Sequence, residues 1–328
     1  MALTKVNWGI IGCGNVTEKK SGPAFNKVPD SSLIAVMRRN EEAVKDYAKR
    51  HKVPKWTTDA SKLINDDDVN AVYIATPPAF HARYAIEAMK AGKPVYVEKP
   101  MAATYRECIE MNRVSEETGV PLFVAYYRRT LPGFLKVKDI VGSGILGKVL
   151  YVNINLMRPP TEDEKNNTAW RVDPGLAGGG IFFDLASHQL DYLDFLFGPV
   201  REISGKAFNK AGLYEAEDTV VASLIHQNGV VCNGMWCFVT SEDTKKDIIE
   251  IVGTEGRLEF SCFGHTPLIL HKNGLSEKIS FEVPENIQYY LIKQIVEELT
   301  GNGKCVSTGK TAARTNKVME VIVSDYYE

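Results

Sequence analysis

Residues 6–15 read VNWGIIGCGN, a short apolar run that ends in two closely spaced glycines. A strand buried in a parallel sheet is apolar on both faces, so the run predicts such a strand over Val6 to Ile11. Gly12 permits a tight turn after the strand, and Gly14 lets backbone N–H groups approach a pyrophosphate. The pair predicts a dinucleotide site only where a parallel sheet surrounds it.

The segments that follow supply that context, because strand-like and helix-like runs alternate with short connections. Such alternation predicts a doubly wound parallel sheet with helices on both faces. The further predicted strands are 33–37, 71–75 and 94–97, and the predicted helices are 41–51 and 79–91. We therefore expect Gly12, Gly14, Asn15 and Val16 to contact a dinucleotide.

The glycine loop departs from the usual pattern at its third position, where Thr17 stands instead of glycine or alanine. A small residue there allows close packing of helix on strand, so Thr17 predicts looser packing. Gly22 and Pro23 follow soon after, and proline is favoured in the first turn of a helix. The first helix is therefore expected to begin late.

The residues after the second predicted strand bear on the choice of cofactor. NAD sites usually place an acidic residue there for the ribose 2′-hydroxyl, whereas this chain has Arg38 and Arg39. A guanidinium pairs well with the 2′-phosphate of NADP. The sequence therefore favours NADP, and NAD is the alternative if both arginines are only solvated surface residues.

Ligands of open parallel sheets bind at the carboxyl ends of the strands. Thr76 and Pro77 follow the third predicted strand, and Glu98 and Lys99 follow the fourth. These four residues are expected beside the cofactor. His81 is interpreted as a support for the same loop.

A chain of 328 residues is long for a single core, so two domains are expected. The first, 1–123, is the predicted dinucleotide-binding domain, and the second, 124–328, is predicted to bind substrate and to form oligomers. In the second domain, strand-like runs joined by short turns predict a mostly antiparallel sheet in an α+β arrangement. These runs are 148–157, 219–226, 230–239, 248–252 and 257–261, with predicted helices at 286–299 and 311–326.

The composition excludes several classes of partner and site. A formal net charge of −2 gives no electrostatic basis for binding nucleic acid, and no run of about 18 apolar residues predicts a membrane span. Six scattered cysteines without a CxxC motif argue against a structural zinc or redox site. Together with an N-terminus that lacks the pattern of a secretory signal, they predict a cytoplasmic protein.

Five motifs now identify a resemblance: GCGN at 12–15, IATPPAFH at 74–81, VEKP at 97–100, WRVDPGLAGGG at 170–180 and DLASH at 184–188. In this order the chain resembles the glucose–fructose oxidoreductase / inositol dehydrogenase / MocA family. The resemblance implies a Rossmann domain that binds NAD(P). It also implies a second domain whose sheet forms the floor of the active site and commonly mediates a homodimer or homotetramer.

The resemblance also implies roles for particular residues. Lys99, Asp184 and His188 would form the catalytic group, which also contacts the substrate. The cofactor would be contacted by Trp170 and Arg171, and Tyr127 and Arg128 would lie near the nicotinamide, with Tyr127 facing the substrate.

The spacing of Asp184 and His188 suits proton chemistry. Residues four apart on a helix lie about 5–6 Å from each other on one face. The same stripe contains Asp191, which is interpreted as a solvated or helix-pairing carboxylate on the wet side of a surface helix. Interconversion of a hydroxyl and a keto group moves a proton at the oxygen and favours a cation beside it. His188 is the leading proton carrier and Lys99 the polarising group, but Lys99 could carry the proton if burial favours its neutral form.

The predicted function is an NADP-preferring oxidoreductase acting on a sugar, polyol or related hydroxy/keto compound. Two alternatives remain open, a non-catalytic NAD(P)-binding regulatory protein and an NAD-dependent glycosidase. A metal held by Asp184 and His188, with Glu98 or Asp191, is a weaker alternative, so no metal is expected. The polar loop 162–167 is interpreted as a surface loop or a mobile lid.

Overall fold

The computed structural model describes residues 2–328 and divides the chain into two compact units. The first contains residues up to Thr130 and Pro284–Ala313, and the second contains Leu131–Val283 and Arg314–Glu328. The expected division of roles at residues 123 and 124 stays a prediction. Residues 284–313 join the first unit because Ser307 donates to the carbonyl of Val124 at 2.7 Å.

The first unit contains a six-stranded sheet in which every pair is parallel. Its order is β3-β2-β1-β4-β5-β6, which confirms the predicted doubly wound class. The strands are β1 Val6–Ile11, β2 Ser31–Met37, β3 Lys55–Thr57, β4 Ala71–Ile74, β5 Val95–Val97 and β6 Leu122–Val124. The sequence analysis did not predict β3 and β6, which have three residues each.

Six helices connect these strands. They are α1 Asn15–Lys19, α2 Gly22–Lys27, α3 Glu41–His51, α4 Ala60–Ile64, α5 His81–Lys90 and α6 Tyr105–Thr118. The expectation that the first helix begins late is wrong, because α1 begins at Asn15, directly after Gly14. Pro23 instead lies in the first turn of the next helix, α2. Buried aliphatic residues of β4 and β5 and of α5 and α6, with Ile11 of β1, belong to one core cluster.

The expectation of looser packing at Thr17 is wrong. Thr17 is fully buried, and its hydroxyl accepts a hydrogen bond from the Gly14 N–H at 3.0 Å and donates to the Gly14 carbonyl at 2.8 Å. The Tyr47 hydroxyl of α3 donates to the Thr17 carbonyl at 2.9 Å. Threonine fits at this buried position because its hydroxyl forms both hydrogen bonds with the Gly14 backbone.

The second unit contains an eight-stranded sheet of order β14-β13-β12-β11-β7-β10-β9-β8, and only β7 and β10 pair in parallel. The strands are β7 Val149–Met157, β8 Val200–Phe208, β9 Thr219–His226, β10 Val231–Cys237, β11 Lys246–Gly253, β12 Arg257–Phe260, β13 Leu268–Lys272 and β14 Leu275–Ile279. The mostly antiparallel sheet that the sequence predicts is confirmed.

The helices of this part of the chain are α7 Pro132–Gly142, α8 Glu162–Lys165, α9 Pro174–Ala177 and α10 Ile181–Phe197. Two more complete the chain, α11 Tyr289–Leu299 in the first unit and α12 Gly309–Tyr327, which contributes residues to both units. None of the helices in residues 2–328 combines the length and apolar character needed to cross a membrane.

Helix α10 is not the surface helix that its polar stripe suggested. His188 is 3% exposed and Asp191 only 1%, so the interpretation of Asp191 as a solvated carboxylate is wrong. On the sheet side, Gln189 accepts a hydrogen bond from the Trp236 indole of β10 at 2.7 Å. On the α12 side, the Thr315 hydroxyl donates to Asp191 at 3.5 Å, so Asp191 faces another helix.

Candidate active site

The glycine loop lies where the first sheet reverses its strand order. β1 lies between β2 and β4, and the N–H groups of Gly12 and Cys13 donate to the Met37 carbonyl at 2.9 and 3.2 Å. Gly12 has a φ of +91°, and a Cβ there would lie 2.8 Å from Thr76 Cγ2. The Thr76 hydroxyl is buried and has no hydrogen-bond partner among residues 2–328. The side-chain-free backbone at Gly12 and the unpartnered Thr76 hydroxyl lie at the crevice where a dinucleotide binds in such sheets.

Beyond Gly14, the chain enters α1 directly. Asn15 and Val16 are its first residues, and their position at a helix N-terminus suits an anion. Arg38 and Arg39 directly follow β2 and are both exposed. The Arg39 guanidinium lies 5.7 Å from the centre of the Phe80 ring. The two arginines therefore reach solvent at the edge of the glycine loop.

His81 connects the two loops that hold the other predicted cofactor residues. It is fully buried, with Nε2 2.7 Å from the Thr76 carbonyl and Nδ1 3.0 Å from the Pro100 carbonyl. Burial lowers the pKa of the imidazole. The histidine therefore ties the end of β4, where Pro77 follows, to the end of β5.

Glu98 is occupied by other residues of the first unit. Its Oε1 accepts hydrogen bonds from the Tyr73 hydroxyl and the Gln288 amide, both at 2.6 Å, and Gln288 in turn accepts from Tyr96 at 2.6 Å. Its Oε2 accepts from the Lys99 N–H at 3.2 Å. Glu98 thus positions the backbone of Lys99, which is half-buried just after β5. Sequence reasoning missed Gln288, since it lies 190 residues away in the chain.

Tyr127 and Arg128 lie on a short 3₁₀ helix, Tyr127–Thr130, at the end of the first unit. Both are buried, and the Arg128 guanidinium lies 5.2 Å from the centre of the Tyr127 ring. The neighbouring Arg129 donates to the Val306 carbonyl at 3.1 Å. This bond fixes the turn to the segment 284–313 of the same unit.

The second unit brings together four of the predicted site residues. The Nε of Arg171 donates to Asp184 Oδ2 at 2.9 Å, and its guanidinium lies 4.4 Å from the centre of the Trp170 ring. Asp184 occupies the first turn of α10, and His188 follows one turn later. Arg171 is therefore paired with the catalytic candidate Asp184 besides standing next to Trp170.

Glu217, which the sequence analysis did not single out, binds the backbone just before α10. Glu217 is fully buried, and both of its carboxylate oxygens accept from the Gly180 N–H at 2.9 Å. The Tyr327 hydroxyl donates to the same carboxylate. Gly180 allows this approach, since a Cβ there would lie 2.5 Å from the Glu217 carbonyl oxygen. Burial raises the pKa of Glu217 from 4.5 to about 7.

The metal alternative gains no support from the geometry. Within residues 2–328, no group of three or more histidine, cysteine, aspartate or glutamate side chains is arranged to hold a metal ion. Asp184 is paired with Arg171. Burial also raises the pKa of Cys13, in the glycine loop, to about 11, which disfavours a reactive thiolate.

The polar loop 162–167 is anchored to its surroundings. Glu164 is buried and accepts two hydrogen bonds from the Arg158 guanidinium, at 2.7 and 2.8 Å. It also accepts from the Thr161 N–H at 2.8 Å. The other five residues of the loop are exposed, which agrees with a surface loop, and the contacts of Glu164 hold α8 in place.

Comparison with known proteins identifies relatives over nearly the whole chain. A family model described as an oxidoreductase family with an NAD-binding Rossmann fold matches residues 6–126, and a GFO/IDH/MocA C-terminal domain model matches residues 134–259. Oxidoreductase P35 of Formosa agariphila is 40% identical over 320 residues, which cover 97% of this chain and 98% of that protein. The scyllo-inositol 2-dehydrogenase (NAD⁺) of Bacillus subtilis is 26% identical over 95% of this chain and 89% of its own length.

A solved structure of levoglucosan dehydrogenase in complex with NADH and L-sorbose has the same fold. It superposes with a TM-score of 0.89 at 21% identity, covering 99% of this chain and 97% of that chain.

Replacing each glycine of the loop by alanine is expected to have different effects on stability. In Gly12→Ala, the positive φ and the contact with Thr76 should lower the free energy of unfolding by about 1–3 kcal/mol and weaken dinucleotide binding. Gly14 has a φ of −149°, and a Cβ there meets only the Gly12 carbonyl at 3.8 Å. Gly14→Ala should therefore change stability by less than about 0.5 kcal/mol and weaken only binding. Denaturant unfolding and cofactor titration measure both; equal destabilisation by the two variants would contradict this account.

Glu217 predicts a dependence of stability on pH. Because its pKa is raised to about 7 in the folded chain, the folded state keeps a proton that the unfolded state releases above about pH 4.5. The stabilising contribution is complete below pH 4.5 and is lost as the pH rises to 7, a loss of roughly 3 kcal/mol.

The matched variants are Glu217→Gln and Glu215→Gln, of which the second changes an exposed carboxylate two residues away. Unfolding between pH 4.5 and 8 should show that E217Q flattens this part of the profile while E215Q keeps the wild-type slope. A wild-type slope in E217Q would disprove the assignment.

Proposed function

Because the chain belongs to the GFO/IDH/MocA family of oxidoreductases, we propose that it interconverts hydroxyl and keto groups on a sugar, polyol or related compound, with NADP as its preferred cofactor. The observation that carries the proposal is the Arg171–Asp184 pair one helical turn before His188, in a chain whose first unit has the NAD-binding fold. A protein that only sensed a dinucleotide would have no need of this arrangement.

The preference for NADP rests on Arg38 and Arg39. Both are exposed at the end of β2, beside a glycine loop that is hydrogen-bonded to Met37. A 2′-phosphate placed there meets two guanidinium groups and no carboxylate from the strand end. NAD would lose only the phosphate contacts, so it remains a usable second cofactor.

The substrate class is taken from the relatives. Two of them are a scyllo-inositol dehydrogenase and a levoglucosan dehydrogenase, named after a cyclic polyol and an anhydrosugar. Carbohydrate hydroxyls need charged or hydrogen-bonding partners, and α10 offers Asp184 and His188 within one turn. The physiological substrate is therefore proposed to be a carbohydrate-like molecule.

Three residues of the chain are proposed to act at the reacting oxygen or to orient the group that does. When bound, the nicotinamide accepts or donates the hydride at the substrate carbon. Lys99 is proposed to hold and polarise the oxygen, and His188 to take or return its proton. Asp184, held by Arg171, orients the imidazole or a neighbouring hydroxyl. The alternative in which Lys99 carries the proton involves the same groups.

The predicted homodimer or homotetramer stays a prediction. Tyr151 of β7 and Val221 of β9 are each 38% exposed on the face of the second sheet that points away from Trp236 and α10. Apolar surface of this kind suits association with a second copy.

The cofactor preference is tested by fluorescence titration with NADPH and NADH in parallel. We expect NADPH to bind at least about tenfold more tightly, and Arg38→Ala to remove most of that difference while sparing NADH, because a charge-assisted hydrogen bond is lost. Arg113→Ala, on α6 and paired with Glu110 and Glu117, is the matched control. A preference for NADH that R38A leaves unchanged would make these arginines ordinary surface residues.

Turnover is tested with myo-inositol, levoglucosan, D-xylose and D-glucose, using the cofactor that binds best. Lys99→Met and His188→Gln should each lower kcat by about 10²-fold or more and leave cofactor affinity within a few-fold, since each removes a group at the reacting oxygen. Lys90→Met, an exposed lysine at the end of α5, is the control.

Other outcomes of this experiment contradict the proposal. Equal loss of cofactor affinity and turnover in K99M would overturn its catalytic role. A bound cofactor without turnover of any carbohydrate would favour the regulatory protein. Cleavage of a glycoside without net oxidation or reduction would favour the glycosidase.

A further inference from the structure

His188 lies against an aromatic ring that belongs to another part of the second unit. The centres of the His188 and Phe263 rings are 6.0 Å apart, and the ring planes meet at 72°. Phe263 lies in the segment 261–267, which leaves β12 and leads into β13. The imidazole is almost fully buried, whereas Phe263 is half-buried and the next four residues are exposed. An apolar ring thus extends from the candidate proton carrier toward solvent.

One carboxylate fixes the backbone of this segment. Asp247 of β11 accepts a hydrogen bond from the Phe263 N–H at 2.7 Å and from the Cys262 N–H at 3.1 Å. The Ser261 hydroxyl also donates to Asp247, and its oxygen accepts from the N–H of Phe263 at 3.2 Å. The Phe263 backbone N–H thus has two acceptors, which hold the main chain that carries the ring in place near His188.

The residues just before Phe263 anchor the segment in the core. Cys262 is 1% exposed, and Phe260 at the end of β12 is buried. The Phe260 ring lies edge-on to Tyr192 of α10 and to Phe134 of α7, each at 6.1 Å between ring centres. Helix α10 therefore carries His188 and also packs, through Tyr192, against Phe260, the residue just before the segment. The distance between His188 and Phe263 is thus set by rigid elements.

We propose that Phe263 is a specificity-determining residue, whose ring forms an apolar wall beside His188 for the C–H face of a cyclic sugar or polyol. This inference rests on the proposed function and names the shape of substrate that the site favours. A pyranose or cyclitol presents several C–H groups on one face, and an aromatic ring buries such a face while hydroxyls on the rim reach polar groups. Because the ring is already positioned, its contact costs little side-chain entropy. Asp247 acts as a positioning residue through the Phe263 N–H.

The experiment compares Phe263→Ala and Phe263→Leu with the wild type, using the best substrate among myo-inositol, levoglucosan, D-xylose and D-glucose. F263A should raise KM and lower kcat/KM by about 10- to 100-fold, because a buried apolar contact is lost. F263L keeps apolar bulk without a flat face and should fall between F263A and the wild type; Phe263→Tyr should recover to within about threefold. Cofactor affinity should stay unchanged in all three.

Two further variants sharpen the test. Phe208→Ala removes an exposed ring on β8 and should leave KM unchanged. Asp247→Asn should raise KM in the same direction as F263A but less, and adding it to F263A should have little further effect, since both act through one ring.

The outcomes separate the two claims. If the wild type turns over a cyclic carbohydrate but F263A and F263L keep KM and kcat/KM within twofold, the inference is overturned and the proposed function stands. If F263A does not fold, F263L decides by the same criterion. If the wild type turns over none of the four compounds, the proposed function fails first and the role of Phe263 falls with it.

Discussion

The contact between the Glu217 carboxylate and the Gly180 N–H determines where α10 begins. Both oxygens lie 2.9 Å from the same nitrogen, and the Tyr327 hydroxyl completes the contact. A carboxylate at a helix N-terminus is stabilised by the unsatisfied N–H groups and the helix dipole. From this fixed start, Asp184 falls in the first turn and His188 one turn later.

The rest of α10 is held by polar contacts on its other sides. Gln189 accepts from Trp236 of the sheet, and Asp194 accepts two hydrogen bonds from Arg314 of α12 at 2.6 and 2.8 Å. Buried polar groups of this kind destabilise the fold unless each has its partner, so they also specify one arrangement of helix and sheet. A helix that is positioned this firmly suits proton chemistry, which depends on donor and acceptor lying within hydrogen-bond distance.

The first unit uses the same principle at the carboxyl ends of its strands. His81 contacts the carbonyls of Thr76 and Pro100, and Glu98 collects donors from Tyr73 and Gln288. These contacts hold the two loops from which Thr76 and Lys99 come. A hydride-transfer site of the proposed kind needs such preorganisation, because a small displacement of a catalytic group costs much of its effect. In both units, a buried network behind the candidate residues keeps them in place.

Local pattern was sufficient for the larger features of the fold. The alternation of apolar runs and helices predicted the parallel sheet, and its glycines predicted the loop at the point where the strand order reverses. These predictions succeeded because both depend on periodicity and backbone conformation, which neighbouring residues decide. The motifs around Lys99, Asp184 and His188 pointed to the family in the same way.

Only the tertiary structure decided what surrounds those residues. Thr17 is tightly bound instead of loosely packed, and Asp191 is buried instead of solvated. The partners Gln288, Glu217 and Phe263 were invisible to local pattern, since each lies far along the chain from the residue that it contacts. Burial of a polar side chain depends on the element packed against it, which no spacing within one helix records. The sequence by itself determined the fold class, the family and the candidate residues; the long-range contacts decided which of them are held together.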